Sequence, residues 1–494
     1  MKFKLLFIWL LLFAACTSRN SMIAIGQVNI PDTPSGKIFK SWLESYNSGD
    51  TALIGAFTRA FYPELMLKDK QFDAEEWIGY YKKFGSLKVY SYDTTYVDDR
   101  GNSWPVNALL TNQSQEKWMR LKLIVEPKSQ KIYGISFKTA SRPKVIKIKR
   151  VSDKDLAKQL DEKITHMVDK DEFSGVVLIA RNSKPFYEKA FGMANRENNI
   201  VNNIKTKFNL ASLSKMFTSI AIAQLVEAGK ISFSDTLIKV LPEYPNKEVA
   251  SRITIHQLLT HTSGLGDVFT QEFFDLQDKG ELKNTLDWYK TFVHYPLAFE
   301  PGSQFKYSNA GYIVLGAIIE KLSGQDYYSY IKEHITKPLG INSTEFYSTD
   351  DNKLDIAKPY TFYPEGMEQV DKIQEFKNLA YRGSAAGGGY STAEDLLKFM
   401  VALREYKLLN KELTEMLVTT KVKSADGMPD WAYGCFDSNA YGIRTVGHGG
   451  TIPGVSTMAE IYWDYDCYVI ILANIDPPAA DDVANFIKDR IKIN

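Results

Sequence analysis

A serine stands three residues before a lysine in the segment Ser212-Leu213-Ser214-Lys215, a spacing that suits nucleophilic catalysis. The residues from Leu213 to Val226 are mostly apolar on every side, which predicts a buried helix. Residues three apart in a helix lie on one face, so the two side chains would be neighbours. Burial would lower the pKa of Lys215 and leave a neutral amine able to take the proton of the Ser212 hydroxyl. In the alternative interpretation, Ser212 is only a helix cap.

Three later segments carry further polar side chains and closely spaced glycines. They are Leu-Leu-Thr-His-Thr-Ser-Gly-Leu at 258–265, Tyr-Ser-Asn at 307–309 and Gly-His-Gly-Gly-Thr at 447–451. Together with the Ser-x-x-Lys pair, and in this order, they resemble the serine β-lactamase-like superfamily of penicillin-binding proteins, class C β-lactamases, D-aminopeptidases and related esterases. The resemblance covers most of residues 153–494. It implies a fold of α/β (α+β) class, with an antiparallel sheet flanked by helices, a helical region, and the site at their junction.

The resemblance also implies a role for each matching residue. Ser212 would be the acylated nucleophile and Lys215 its partner in proton transfer. Tyr307, held near the lysine ammonium, would have a depressed phenol pKa and would act as general base for the attack and as acid for the leaving group. Asn309 would hydrogen-bond both the substrate amide and the lysine.

The segment around His448 would lie on a strand edge beside the cleft. The backbone N–H groups of Ser212 and Thr451 would form the oxyanion hole, and Gly449 and Gly450 would let the substrate backbone approach the strand closely. Most β-lactamases and transpeptidases carry lysine where this chain has His448, and a mostly neutral imidazole would bind a substrate carboxylate less well. Histidine at this position resembles the D-aminopeptidase and esterase branches.

Composition argues against several other classes of function. Lysine and arginine number 60 against 59 acidic residues, a balance that provides no field to attract nucleic acid. The sequence has no His-x-x-x-His or Cys-x-x-Cys pair, and the glycines at 387–389 lack the lysine of a phosphate-binding loop. We therefore expect no nucleic-acid partner, no metal and no cofactor. Besides Cys16, only Cys435 and Cys467 are present, and these two could form at most one disulfide.

The first residues have the features of an export signal. Two lysines precede an apolar run at 5–13, and Ala-Ala stands directly before Cys16. This arrangement resembles the lipobox of bacterial lipoproteins, so residues 1–16 are predicted to be a lipoprotein signal peptide and residues 17–30 a tether. A lipid on Cys16 would hold the protein on a bacterial membrane, facing the periplasm or the cell exterior. The alternative is a plain secreted protein in which Cys16 is incidental.

Residues 31–140 are predicted to form a small α+β domain. Apolar residues recur at helical spacing from Pro34, a second helix is expected from Asp73, and four strands are expected at 87–96, 106–111, 118–125 and 132–138. The order of elements resembles the nuclear transport factor 2-like (NTF2-like) class. The domain contains no catalytic constellation, so binding, spacing and dimerisation all remain open. Residues 141–152 are basic and are predicted to be a linker.

The sequence therefore predicts an exported serine hydrolase that cleaves small amides or esters, with D-amino-acid peptides among the candidates. A β-lactamase, a cell-wall DD-peptidase and a non-catalytic protein that binds wall fragments are the alternatives. The aromatic-rich segment from Val268 to Leu297 is expected either to roof the cleft or to pack as ordinary helices. The remaining histidines, including His261, are expected to be structural. The sequence does not predict the oligomeric state.

Overall fold

A computed structural model provides the structure of the chain. It describes residues 28, 30–64, 74–93, 104–112, 117–126, 129–140, 143, 149–351, 355–364, 370, 372–423, 429–440 and 442–493. Cys16, the predicted signal peptide 1–16, most of the predicted tether and most of the predicted linker lie outside these residues. Within the described ranges, the helices are all too short or too polar to cross a membrane.

The chain divides into two compact units, Met1–Ile146 and Lys147–Asn494. In the described part of the first unit, an antiparallel sheet follows the helices, which is the order of elements expected from the sequence. The helices are Pro34–Ser48, Thr51–Phe61 and Ala74–Phe84, and the strands are β1 (Leu87–Asp93), β2 (Trp104–Asn112), β3 (Trp118–Val125) and β4 (Ile132–Thr139), paired in the order β1-β2-β3-β4. The helix Thr51–Phe61 was not expected; Asp50 caps it by accepting hydrogen bonds from the N–H groups of Ala52 and Leu53.

A seven-stranded antiparallel sheet forms the centre of the second unit. Its strand order is β13-β14-β15-β16-β17-β5-β6. The bounds are β5 (Gly175–Arg181), β6 (Lys184–Phe191), β13 (Asp430–Trp431), β14 (Phe436–Ala440), β15 (Ile443–Ile452), β16 (Val455–Tyr462) and β17 (Cys467–Ala473). Short two-stranded pairs join β7 (Met193–Asn195) to β8 (Ile200–Val201), β9 (Phe208–Asn209) to β12 (Tyr390–Ser391), and β10 (Tyr360–Thr361) to β11 (Gln374–Glu375).

Both faces of this sheet are covered by helices. On β17, Ile470 and Leu472 pack into one apolar cluster, while Val469 and Ile471 pack into another. A strand with two buried faces is expected to be continuously apolar, as β17 is. The helices of the unit are Asp153–Val168, Lys215–Glu227, Leu237–Val240, Lys247–Arg252, Ile255–Leu259, Gln271–Asp278, Thr285–Lys290, Asn309–Ser323, Tyr327–Ile331, Ala393–Arg404, Lys411–Val418 and Ala479–Arg490.

Two helices begin at different residues from those predicted, and both differences concern the site. The apolar helix expected from Leu213 begins only at Lys215, because a 3-10 turn over Ala211–Ser214 precedes it. The helix expected from Tyr312 begins at Asn309, because the Ser308 side chain accepts a hydrogen bond from the Gly311 N–H and caps the helix there. Each difference places a candidate site residue at a helix start.

Candidate active site

Ser212 lies in a tight turn between β9 and the helix Lys215–Glu227. The preceding residue, Ala211, has a φ of 45°, in the left-handed region that side chains other than glycine rarely adopt. A strained residue of this kind persists only where the surroundings hold it. Here the Gly388 N–H donates to the Ala211 carbonyl at 3.1 Å, and the Gly389 N–H donates to Ser214 Oγ at 3.1 Å.

The glycines at 387–389 therefore support the serine turn. The sequence predicted a tight turn before the helix capped by Thr392, and Gly388 does have a φ of 89°. The sequence did not reveal their contact with the turn. A Cβ on Gly387 would lie 2.8 Å from the Ala211 carbonyl oxygen, which is closer than side-chain carbons approach oxygen. The close packing requires glycine at that position.

Lys215 is completely buried, with 0% of its surface exposed. Its Nζ donates to Ser212 Oγ at 3.2 Å, to Asn309 Oδ1 at 2.8 Å and to the Ala386 carbonyl at 2.5 Å. None of the ion pairs formed by the described residues includes this amine. As expected from the apolar helix, burial lowers the pKa of Lys215 to about 7, and the Asp267 carboxylate opposes part of that shift. A substantial fraction of the amine is therefore neutral near neutral pH and can accept a proton.

Tyr307 lies over the same amine, but its acidity is the opposite of the prediction. Lys215 Nζ lies 4.8 Å from the centre of the Tyr307 ring. Burial raises the pKa of the Tyr307 phenol, although the nearby Ser212 hydroxyl opposes the shift. The predicted depression of this pKa is therefore wrong, because burial removes the phenolate from water and the Asp267 carboxylate adds to the upward shift. The Tyr307 hydroxyl is buried and has no hydrogen-bond partner among the described residues.

Asn309 is the first residue of its helix and connects two charged groups. Its amide oxygen accepts from Lys215 Nζ at 2.8 Å, and its amide nitrogen lies 3.4 Å from Asp267 Oδ1. The amide orientation satisfies both neighbours, since the oxygen faces a donor and the nitrogen faces an acceptor. The sequence analysis did not identify Asp267, which stands two residues after the Leu-Leu-Thr-His-Thr-Ser-Gly-Leu segment.

His448 lies on β15 where the neighbouring strand stops. β14 pairs with β15 only from Ile443 to Gly447, so the following residues of β15 lie beyond the end of β14. The His448 side chain is buried, and its pKa is lowered to about 3 by burial and by the charge of Lys215. The imidazole is therefore neutral, as the sequence suggested. Its Nδ1 contacts the Gly449 carbonyl, and its Nε2 has no partner in the described part of the chain.

The residues that follow His448 on β15 are Gly449, Gly450 and Thr451, and they complete the set of predicted site residues. Gly450 packs against the backbone that leads into the serine turn, where a Cβ would lie 2.0 Å from the Leu210 carbonyl oxygen. The structure thus provides a packing reason for Gly450 in addition to the predicted room for substrate. Gly449 is partly exposed and Thr451 is exposed. The structure therefore brings β15 beside the turn that carries Ser212.

Two aromatic side chains that the sequence analysis did not select surround these groups. His261 is buried and stacks on Tyr307 with ring centres 4.3 Å apart, and its Nδ1 accepts the Ser308 N–H at 3.1 Å. Trp431 packs edge-to-face on His448, with ring centres 5.2 Å apart. The sequence contained a signal that could have placed His261 in the site, because it belongs to the segment at 258–265. It contained no such signal for Trp431, because a lone tryptophan far along the chain is usually an ordinary core residue.

The segment from Val268 to Leu297 forms two helices that pack into the larger apolar cluster. Phe273 and Trp288 are buried there, whereas Phe269 and Phe274 remain 51% and 42% exposed. Ordinary helical packing is therefore present, and a roof over the cleft stays a prediction. Cys435 and Cys467 are both buried free thiols, so the possible disulfide does not form. Among the described residues, no three His, Cys, Asp or Glu side chains are placed to hold a metal.

Comparison with known proteins identifies relatives of the second unit. The chain is 32% identical over 316 residues to penicillin-binding protein 4* of Bacillus subtilis (strain 168), covering 62% of this chain and 69% of that protein. It is similar in structure to a penicillin binding protein from Bacillus halodurans, with a TM-score of 0.58 and 33% identity, covering 65% of this chain and 98% of that one.

A D-amino acid amidase from Ochrobactrum anthropi SV3 shares the fold. Its TM-score is 0.58 at 19% identity, covering 68% of this chain and 97% of that one. The family model described as Beta-lactamase matches residues 160–492, which include Ser212, Lys215, Tyr307 and His448. The fold is thus the expected β-lactamase/transpeptidase-like fold, and the chain belongs to the Beta-lactamase family.

Proposed function

We propose that this protein is a serine hydrolase that cleaves small amides or esters through a covalent acyl-enzyme on Ser212. The observation that carries the proposal is the contact between Lys215 Nζ and Ser212 Oγ at 3.2 Å, made by an amine that is fully buried. Burial lowers the pKa of Lys215 to about 7, which suits a general base that works near neutral pH. A serine that served only as a helix cap would not need such a neighbour.

In the proposed reaction, the neutral Lys215 amine takes the hydroxyl proton as Ser212 Oγ attacks the carbonyl carbon of the substrate. The carbonyl oxygen becomes an oxyanion, for which the N–H groups of Ser212 and Thr451 are the proposed donors. The bond to the leaving nitrogen or oxygen then breaks, and the leaving atom receives a proton from Lys215 by way of the Tyr307 hydroxyl. Water then attacks the acyl-enzyme with the same base, releases the acid and restores Ser212.

The protonated state of Tyr307 decides its place in this scheme. Because its pKa is raised, the phenol keeps its proton near neutral pH and serves as a relay to the leaving group, while Lys215 is the base. Asn309 is proposed to hydrogen-bond the substrate amide while it holds Lys215. His448, Gly449 and Gly450 are proposed to form the side of the cleft along which the substrate lies.

Acylation is the direct test. The protein is incubated with a fluorophosphonate and digested, and the mass of the peptide containing Ser212 is measured. We expect one adduct on Ser212 in the native chain and none in a Ser212→Ala variant, with circular dichroism to show that the variant is folded. An unlabelled Ser212 in folded protein would contradict the mechanism. Labelling of another serine would identify that serine as the nucleophile instead.

The names of the relatives support a second candidate, reaction with penicillins, and the sequence adds the cell-wall DD-peptidase alternative. A labelled penicillin would then form the same adduct on Ser212, and muropeptides would release D-alanine. The neutral His448 argues against efficient use of such substrates, since they carry a carboxylate that a fixed cation would bind. Turnover of a chromogenic cephalosporin, compared with turnover of simple esters, separates a β-lactamase from an esterase or amidase.

We also propose that Cys16 is lipidated and holds the protein on the outer side of a bacterial membrane. The support is the apolar run at 5–13 followed by Ala-Ala-Cys. In the producing cell, the native chain should fractionate with membranes, and a Cys16→Ser variant should appear in the soluble exported fraction. The first unit, in which the described helices precede a four-stranded antiparallel sheet, is proposed to be an NTF2-like domain that binds, spaces or dimerises.

A further inference from the structure

His261 contacts Tyr307 and the backbone on both sides of it. The two rings stack with their centres 4.3 Å apart and an angle of 26° between their planes. The Lys306 N–H donates to the His261 carbonyl at 2.9 Å, and the Ser308 N–H donates to His261 Nδ1 at 3.1 Å. One residue therefore holds the ring of Tyr307 and the N–H groups of the residues before and after it.

Stacking alone does not explain why this ring is an imidazole. A backbone N–H can only donate, so Nδ1 of His261 must be unprotonated, and the neutral ring carries its proton on Nε2. Nε2 is buried and has no hydrogen-bond partner in the described part of the chain. A phenyl ring would also stack on Tyr307 and would leave no such atom unsatisfied. The hydrogen bond from Ser308 is therefore the contact that requires histidine.

The surroundings keep this imidazole neutral. His261 is 1% exposed, and burial together with the neighbouring Lys215 and His448 lowers the pKa of its ring well below the ordinary value. A protonated ring would carry a hydrogen on Nδ1, directed at the Ser308 N–H, and would break that contact. Because the ring stays neutral, the contact persists throughout the pH range in which Lys215 changes its charge.

The backbone of His261 is held in a strained conformation. Its φ is 57°, in the left-handed region, and such a residue persists only where its surroundings fix it. The next residues continue the same set of backbone contacts, since the Gly302 N–H donates to the Thr262 carbonyl at 2.8 Å and the Ala298 N–H donates to the Gly264 carbonyl at 2.7 Å. The segment that carries His261 and the segment that leads to Tyr307 are thus joined at several points.

The proposed role of Tyr307 depends on where its hydroxyl is held. Lys215 Nζ lies 4.8 Å from the centre of the Tyr307 ring, and the hydroxyl has no hydrogen-bond partner among the described residues. The place of the hydroxyl is therefore set by the contacts of the ring and of the backbone around it. Proton transfer is sensitive to that place, because a displacement of about 1 Å can cost roughly a hundredfold in rate.

We infer that His261 is a positioning residue that holds the Tyr307 hydroxyl where it passes a proton to the leaving group. His261 acts through Tyr307 and itself exchanges no proton. The sequence led us to expect a structural histidine, and the contacts assign it a task in the reaction. This inference rests on the proposed acyl transfer to Ser212 and adds a residue to its proton path.

The test measures how strongly each variant depends on the leaving group. Phenyl acetate and p-nitrophenyl acetate carry the same acyl group, but phenoxide is the more basic leaving group and needs a proton more than p-nitrophenoxide does. The ratio of kcat/KM for p-nitrophenyl over phenyl acetate isolates acylation, because both esters form the same acyl-enzyme. Loss of a positioned phenol should raise this ratio, whereas a smaller amount of folded protein leaves it unchanged.

Two variants divide the contacts of His261. His261→Phe keeps a ring on Tyr307 and removes the acceptor for the Ser308 N–H, so the ratio should rise about tenfold. His261→Asn removes the ring but offers an amide oxygen to the same N–H and tolerates a φ of 57°, so the ratio should rise only about threefold. His256→Asn is the matched control, because Nδ1 of this histidine contacts the Tyr433 hydroxyl at 2.7 Å, and its ratio should be the native one.

Dependence on Tyr307 is tested in a double variant. When His261→Phe is added to Tyr307→Phe, the ratio should equal that of Tyr307→Phe alone, because the hydroxyl through which His261 acts is already absent. A further rise in the ratio would show that His261 acts on the reaction by another route, and it would overturn the inference.

Fluorophosphonate labelling of Ser212 separates the inference from the proposed function. Absence of label in the folded native chain overturns the hydrolase and the inference with it. Labelling together with a native ratio in folded His261→Phe and His261→Asn overturns only the role of His261. If circular dichroism shows that His261→Phe is unfolded, the ratio in His261→Asn decides in the same way. Labelling without turnover of either ester also overturns the inference and leaves the reactivity of Ser212 standing.

Discussion

Two buried lysines of the second unit have opposite surroundings. Lys488, on the helix Ala479–Arg490, is 7% exposed and donates to Glu460 of β16 at 2.7 Å. Lys215 is 0% exposed and touches a hydroxyl, an amide oxygen and a backbone carbonyl, but no carboxylate. A buried cation beside a carboxylate stays charged and links two elements of structure. A buried amine without one is free to lose its proton, which is a chemical property rather than a structural one.

The comparison also extends to the atoms left without partners. Near Lys215, the Tyr307 hydroxyl and His448 Nε2 are buried and have no hydrogen-bond partner among the described residues. Near Lys488, Glu460 Oε2 and the Tyr462 hydroxyl are in the same condition. Unsatisfied polar atoms therefore do not by themselves distinguish a reactive site from a structural one. What distinguishes the two regions is the partly exposed residue Ser212, whose hydroxyl lies within reach of the amine.

The largest expected effect is on activity, from replacement of the unpaired lysine. Lys215→Met keeps the apolar stem and removes the base, so kcat/KM should fall by about 10³ to 10⁴-fold. The variant should remain folded because the new side chain suits the apolar helix. Steady-state kinetics and circular dichroism measure the two properties. An active Lys215→Met variant would show that Lys215 is not the base, and the contrast between the two lysines would then have no chemical meaning.

Replacement of the paired lysine should have the reverse outcome. Lys488→Met leaves the Glu460 carboxylate buried without its cation, which should lower the free energy of unfolding by about 3 to 5 kcal/mol. The catalytic rate per folded molecule should be unchanged. Denaturant unfolding and active-site titration with a fluorophosphonate provide both numbers. A loss of rate without a loss of stability would show that Lys488 acts on the reaction.

A smaller effect is expected from the phenol above Lys215. Tyr307→Phe keeps the ring that stacks on His261 and removes the hydroxyl, so turnover of an anilide should fall about 100-fold. Hydrolysis of a p-nitrophenyl ester should fall much less, because its leaving group departs without a proton. The ratio of the two rates is the measurement. Equal losses on both substrates would assign the hydroxyl to the attack rather than to the leaving group.

The last expected effect, about tenfold for each unit, concerns pH. In the proposed mechanism the neutral form of Lys215 is the active one, and its pKa is about 7, so kcat/KM should decline by about tenfold per unit as the pH falls below 7 and should level off above it. His448, with a pKa of about 3, titrates outside this range. A profile of kcat/KM from pH 5 to 9 tests the assignment. A rate that is flat across pH 7 would show that the base is another group.

Much of the secondary structure could be predicted from local patterns. The alternation of Met119, Leu121 and Leu123 with charged residues predicted β3, and the mostly apolar run after Ser212 predicted a buried helix. The apolar run did not locate the helix start, because a 3-10 turn and an α-helix have similar composition and differ only in whether each N–H bonds to the carbonyl three or four residues before it. The helix Thr51–Phe61 was not predicted because it follows the first helix after only two residues.

The sequence by itself determined which groups could react, since the Ser-x-x-Lys pair, Tyr307, Asn309 and His448 are all visible as motifs. Only the tertiary structure decided their state. The depth of burial makes Lys215 a base and Tyr307 a weak acid, and packing places Asp267 and the Ala386 carbonyl beside them. A pKa depends on desolvation and on charges a few ångströms away, and the residues packed around Lys215 include Ala386, which is 171 positions distant in the chain.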